Sequence, residues 1–220
     1  MKKTILAAAA LITAGFSANV LAQAQNFEGF ALSAATGSQK SSVKFDGWSI
    51  PSLSMNMGDI SSVPLMLGGE YTWALNNQYT LGLGLEYNPL ASNEATWTIR
   101  ESTSGASEVG KAKVSNTTAV YLKPGMAIDK DSLIYAKLGY VSIKTSSTDT
   151  SGATESGNTN AYSIGVGYRK DFSNTLYVFG EASALSGISK DEAIPDVTPA
   201  IKYKSTASGT TLLLGIGYRF

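Results

Sequence analysis

Seven charged residues stand in stretches that are otherwise apolar and rich in glycine: Glu70, Glu86 and Glu181 against Lys123, Lys137, Arg169 and Arg219. Acids and bases brought together can run general acid–base chemistry, hold a metal, filter ions or neutralise one another. The 220-residue sequence narrows that choice, because it contains no histidine and no cysteine. The usual general base, the commonest metal ligand, every thiolate nucleophile and all disulfides are therefore removed. No metal site and no cofactor are expected. Ser41-Ser42-Val43-Lys44 has the S-x-x-K spelling of a lysine-activated serine, but its companion motifs are missing and the stretch reads as a loop. Asn116-Thr117-Thr118 is a glycosylation sequon by pattern only. The sequence is expected not to encode an enzyme, which leaves pairing or ion filtering for the charges.

The elements that carry these charges share a period of two. In the last eleven residues, Leu212, Leu214, Ile216, Tyr218 and Phe220 alternate with Leu213, Gly215, Gly217 and Arg219. Similar alternation recurs near 27–36, 63–75, 79–90, 118–128, 132–143, 161–172 and 175–185, which predicts eight strands and no helix. Each is about as long as the ~9–11 tilted residues that cross a bilayer. In most strands one parity is apolar and free of charge, as in Leu81, Leu83 and Leu85, or Ile164 and Val166. The other parity mixes charge with glycine, as in Gly82, Gly84 and Glu86, or Gly165, Gly167 and Arg169. A water-soluble barrel would bury its apolar parity, so charge on the same side as small residues puts hydrocarbon outside. Two strands stay open. The first reads better with Phe30 and Leu32 outward and Glu28 at the interface. In the seventh, an inward Glu181 brings Tyr177 and Phe179 inward with it.

The connections alternate between the tight turns 76–78, 129–131 and 171–174 and the long polar stretches 37–61, 91–116, 145–159 and 187–207. Short turns on one rim and long loops on the other are the habit of outer-membrane barrels. Tyr71, Trp73, Tyr79, Tyr168, Tyr218 and Phe220 fall near the short-turn rim, and Tyr87, Tyr140 and Tyr162 near the other, as interfacial girdles require. The expected architecture is all-β: an eight-stranded antiparallel transmembrane barrel with short periplasmic turns and four long extracellular loops. Eight strands enclose a space that side chains just fill. The seven charges then form either a polar plug or a narrow path that opens when pairs exchange partners.

The first 24 residues read as an export leader, with Lys2 and Lys3 before an apolar stretch and cleavage after Ala22 or Ala24; residues 25–220 form the barrel domain. The balance of 17 basic and 17 acidic residues offers no basic field for nucleic acid. The first long loop is unusual in holding Phe45, Trp48, Ile50, Met55 and Met57. These residues either present a sticky surface to a partner or cap the barrel mouth.

The leader, the eight strands and the stretches LGLGLEY, AKLGYV, GVGYRKDF and the terminal GIGYRF resemble the opacity-protein family and the wider porin-like group of small bacterial outer-membrane barrels. The resemblance covers essentially the whole chain after the leader. It implies that Tyr218 and Phe220 form a C-terminal signal read by the barrel-assembly machinery, with periplasmic chaperones escorting the chain. It implies outer-membrane lipid and lipopolysaccharide as surroundings, and a host or cell-surface ligand for the loops. Members serve as adhesins, protective factors or narrow channels, so the resemblance fixes the outer-membrane location more tightly than the activity.

Overall fold

The computed structural model describes residues 23–46, 49–150, 152–187, 190–194 and 201–220. The leader (1–22), Trp48 and the two prolines of the last long connection lie outside them. A short 3-10 turn, Ala24–Phe27, precedes strands β1 (Gly29–Asp46), β2 (Leu53–Met57), β3 (Ile60–Ser62), β4 (Leu65–Ala74), β5 (Tyr79–Asn88) and β6 (Ala95–Glu101). These are followed by β7 (Ser107–Ala127), β8 (Ser132–Thr148), β9 (Thr154–Asp171), β10 (Leu176–Gly187), β11 (Lys190–Ile194) and β12 (Ile201–Arg219). Eight of them pair antiparallel in the order β1-β4-β5-β7-β8-β9-β10-β12, and β12 pairs back onto β1. The ring is closed, so no barrel strand leaves a row of unpaired backbone groups facing lipid.

Closure runs from Ala31↔Arg219 to Asp46↔Lys204. At its lower end the Phe220 N–H donates to Phe30 O at 2.9 Å, and the two rings sit 5.9 Å apart. The terminal aromatic thus fastens the seam. Leu214 and Phe220 are 74% and 71% exposed on the protein's own surface, as residues of a lipid-facing stripe must be. Both open strands resolve. In β1 Phe30 and Leu32 face outward and Glu28 is exposed at the rim. In β10 Leu176 faces outward while Tyr177, Phe179 and Glu181 turn inward.

The long connections differ from expectation. Much of 37–61, 91–116, 145–159 and 187–207 is strand: β1, β7, β8, β9 and β12 run 17 to 21 residues, β3, β6 and β11 pair onto their extensions, and β2 pairs onto β6. Above the membrane the outer face of a hairpin meets water instead of lipid, so the two-residue hydropathy signal fades while the ladder continues. Ser and Thr hold extended backbone well enough once a neighbouring strand supplies the pairing.

The short turns keep their Asx and Ser chemistry. Asn76 Oδ1 accepts from the N–H groups of Gln78 and Tyr79, both at 2.8 Å, and Ser173 Oγ accepts from Leu176 N–H at 3.0 Å. Asp129 Oδ1 accepts from Asp131 N–H at 2.7 Å. Slight burial alone would raise the Asp129 carboxyl, but that hydrogen bond, Ser132 and the Lys170 ammonium outweigh it and hold it below the usual carboxylate range.

Candidate functional site

The inward charges meet in two layers. In the upper layer Lys123 Nζ lies 2.6 Å from Glu70 Oε2, and Thr72 donates to the other Glu70 oxygen at 2.9 Å. Lys137 bridges two acids, at 2.6 Å from Glu86 and 2.9 Å from Glu181. Both ammonium groups also lie over rings, Lys123 over Tyr135 at 4.7 Å and Lys137 over Tyr121 at 4.5 Å.

The lower layer centres on Arg169, which is 1% exposed. Its guanidinium forks onto Asp171 at 2.6 and 2.9 Å and stacks on Tyr177 at 3.7 Å, with Phe27 on a second ring contact at 5.4 Å. Arg219 shares the same acid at 3.3 Å and donates to the carbonyls of Asn174 and Asn26. The structure therefore brings all seven expected charges inside and adds an eighth, Asp171. Asp171 had read as a turn residue, but it lies two positions beyond Arg169 and so on the same face. The result is four acids matched to four bases.

Register explains why glycine accompanies the charges. Glu70 lies across from Gly84, Lys123 from Gly82, Glu86 from Gly68, Lys137 from Gly165 and Glu181 from Gly167. Two of these glycines leave room for an inward acid, Gly68 for Glu86 and Gly82 for Glu70. The inward tyrosines use the same device: Tyr121, Tyr135 and Tyr177 lie over Gly84, Gly167 and Gly217, where any Cβ would collide with the ring. These tyrosines, and Phe27 beneath them, were not singled out as site residues. Their signal is the glycine opposite, which appears only once the register is known.

The space left among these side chains is about 20 Å³, room for about one water. Apolar clusters flank it along the barrel axis. Above lie Ala119, Val141, Ile143 and Ala161; below lie Ala24, Phe27, Ala127 and Leu133.

The described residues of the first long connection are largely strand. Phe45 is the last residue but one of β1, Met55 and Met57 lie in β2, and these residues and Ile50 are half-buried. Met57 pairs with Trp97 and Met55 with Ile99 in β6. Trp97 is buried and donates from Nε1 to the inward Ser147 at 3.0 Å, so this row faces the axis above the barrel. The inward row of Met55 and Met57 fits the capping alternative. Ser41 and Lys44 sit three apart in strand β1 and therefore on opposite faces, which dissolves the S-x-x-K pairing. Among the described residues there is no cluster of three or more carboxylates or other metal-ligating side chains suited to a metal ion.

A closed antiparallel ring with lipid-compatible stripes outside, aromatic rims and paired charge inside defines an integral outer-membrane β-barrel. The profile of the outer membrane protein beta-barrel domain matches residues 7–220, and the chain belongs to that family. Its place is accordingly the bacterial outer membrane, in contact with membrane lipid. No curated protein sequence matches the chain. Among solved structures it is similar to the outer membrane protease OmpT of Escherichia coli, at 10% identity over 87% of this chain and 97% of that one, TM-score 0.54. It is also similar to the outer membrane protein OprG of Pseudomonas aeruginosa, at 10% identity over 88% and 96%, TM-score 0.54. The attachment invasion locus protein Ail of Yersinia pestis matches at 17% identity over 88% and 99%, TM-score 0.47. At these identities the likeness to OmpT and OprG is one of fold.

Proposed function

We propose that the protein is a non-enzymatic surface barrel, plugged by its paired interior, that acts structurally, adhesively or protectively through its extracellular hairpins toward a host or cell-surface ligand. The observation that carries this reading is the interior itself: eight paired inward charges, six of them around a space of about 20 Å³, with apolar clusters to either side. Ions would need a continuous wet path, and ion pairs packed around so small a space favour a plug over such a path. Refolded protein in planar bilayers should show no steady conductance. A sustained open level whose ion selectivity changes in Lys137→Met would replace the plug with a narrow channel.

The same reading includes export and assembly. Tyr218 and Phe220, at the seam, would be the part read by the assembly machinery. The leader would be removed after Ala22, because Ala24 is fully buried and its N–H donates to Asn77 O at 2.9 Å, contacts that cleavage after Ala24 would delete. The intact mass of protein recovered from outer membranes should correspond to a chain beginning at Gln23. A chain beginning at Gln25 would overturn this choice.

A further inference from the structure

We infer that the outward face of β7, β8 and β9, just above the upper aromatic girdle, binds the phosphate groups of lipopolysaccharide, with Lys113 and Lys144 as its charged anchors. Along β8 the outward positions are Leu138, Tyr140, Ser142 and Lys144; the positions between them, Val141 and Ile143, are buried inside. Tyr140 contacts Tyr162 of β9 edge to face at 5.7 Å, and this pair marks the upper edge of the apolar band. Lys144 lies four residues beyond Tyr140, which at strand rise and barrel tilt is about 10 Å farther from the membrane centre. That is the depth of headgroups, and a lysine stem can reach down toward them.

A bulge puts the second lysine there. The β7–β8 register shifts between Val114 and Asn116, leaving Ser115 without a partner. Below the shift Asn116 faces outward; above it Val114 packs inward against the upper apolar layer, so Lys113 turns outward beside Ser146. Without the extra residue Lys113 would point into the barrel mouth. The shift is clamped: Val114 N–H donates to Ser92 Oγ at 2.9 Å, and Ser92 N–H returns to Val114 O at 2.8 Å. Bulges of this kind re-aim side chains.

The neighbours suit an anion. Lys144 lies in register between Asn116 and Asn158, two amides on the same face that can donate to phosphate oxygens. Among the described residues neither Lys113 nor Lys144 has a carboxylate partner, whereas Lys111 on the same face is held by Glu94 at 3.2 Å. The corresponding face of β1 is more neutralised, with Lys40 on Asp59 at 2.7 Å and Asp46 across from Lys204. The β7–β9 face points sideways into the leaflet rather than toward the barrel mouth, so a lipid phosphate reaches it and a soluble ligand must first displace lipid. The inference does not depend on whether the interior conducts.

The test uses full-length folded barrel in detergent, with folding checked by its compact migration on unboiled gels. Binding of bisphosphorylated lipid A, and of lipid A stripped of phosphate, is measured by native mass spectrometry. Wild type should retain the phosphorylated form and not the stripped one. The double variant Lys113→Gln/Lys144→Gln should bind about thirtyfold more weakly, while Lys40→Gln/Lys44→Gln on the β1 face should bind as wild type does. Equal retention by wild type and the Lys113/Lys144 variant, equal loss in the Lys40/Lys44 control, or retention indifferent to phosphate would each overturn the site.

Discussion

Arg169→Leu is expected to destabilise the folded barrel by about 3–5 kcal/mol, read from urea unfolding in lipid vesicles by tryptophan fluorescence. The side chain is the largest fully buried one among the described residues, and its guanidinium organises the lower interior. Removing it leaves Asp171, itself buried, with only Arg219 at 3.3 Å as a charged partner, and strips the cation from Tyr177 and Phe27. Leucine fits the apolar neighbours but supplies none of the donors. Arg169→Lys should recover only part of the loss, because an ammonium keeps the charge but gives up the two-point fork and the planar stack. An Arg169→Leu barrel that unfolds at the wild-type urea concentration would mean that the lower layer is wet and that Asp171 is satisfied by water.

The solvent explains which parts of this structure were legible in the sequence. Lipid outside and confinement inside impose opposite demands on alternate residues, so strands such as Tyr79–Asn88 announce their parity, and the charges follow. Asp171 escaped because an aspartate beside Phe172, Ser173 and Asn174 looks like turn chemistry; only its parity with Arg169 betrays it. Phe27 looked like the start of the first strand, yet the chain curls there into a 3-10 turn that carries the ring beneath Arg169. The strand extensions above the girdle were hidden for a different reason. A segment such as Ser142–Thr148 carries no apolar stripe, and its strand character comes from partners on either side rather than from its own composition. The bulge at Ser115 belongs to the same class, since a register shift is a property of two strands at once.

Lys137→Met addresses the upper layer, where one cation serves two acids. The substitution leaves Glu86 and Glu181 facing each other with Lys123 engaged on Glu70, and an uncompensated buried charge should cost about 3–5 kcal/mol. The same network intact need not stabilise much on balance, because desolvating three ions consumes most of their attraction. The triple variant Lys137→Met/Glu86→Gln/Glu181→Gln, which removes the charges together, should therefore recover most of the loss in the same urea titration. Neutral glutamines keep nearly the original volume, and the Tyr135 hydroxyl, now on Glu181 at 3.3 Å, retains an amide oxygen to donate to. A triple variant as unstable as Lys137→Met would show that the ion pairs themselves hold the barrel together. A single variant as stable as wild type would show that water reaches both carboxylates, and the plug would then have to be reread as a path.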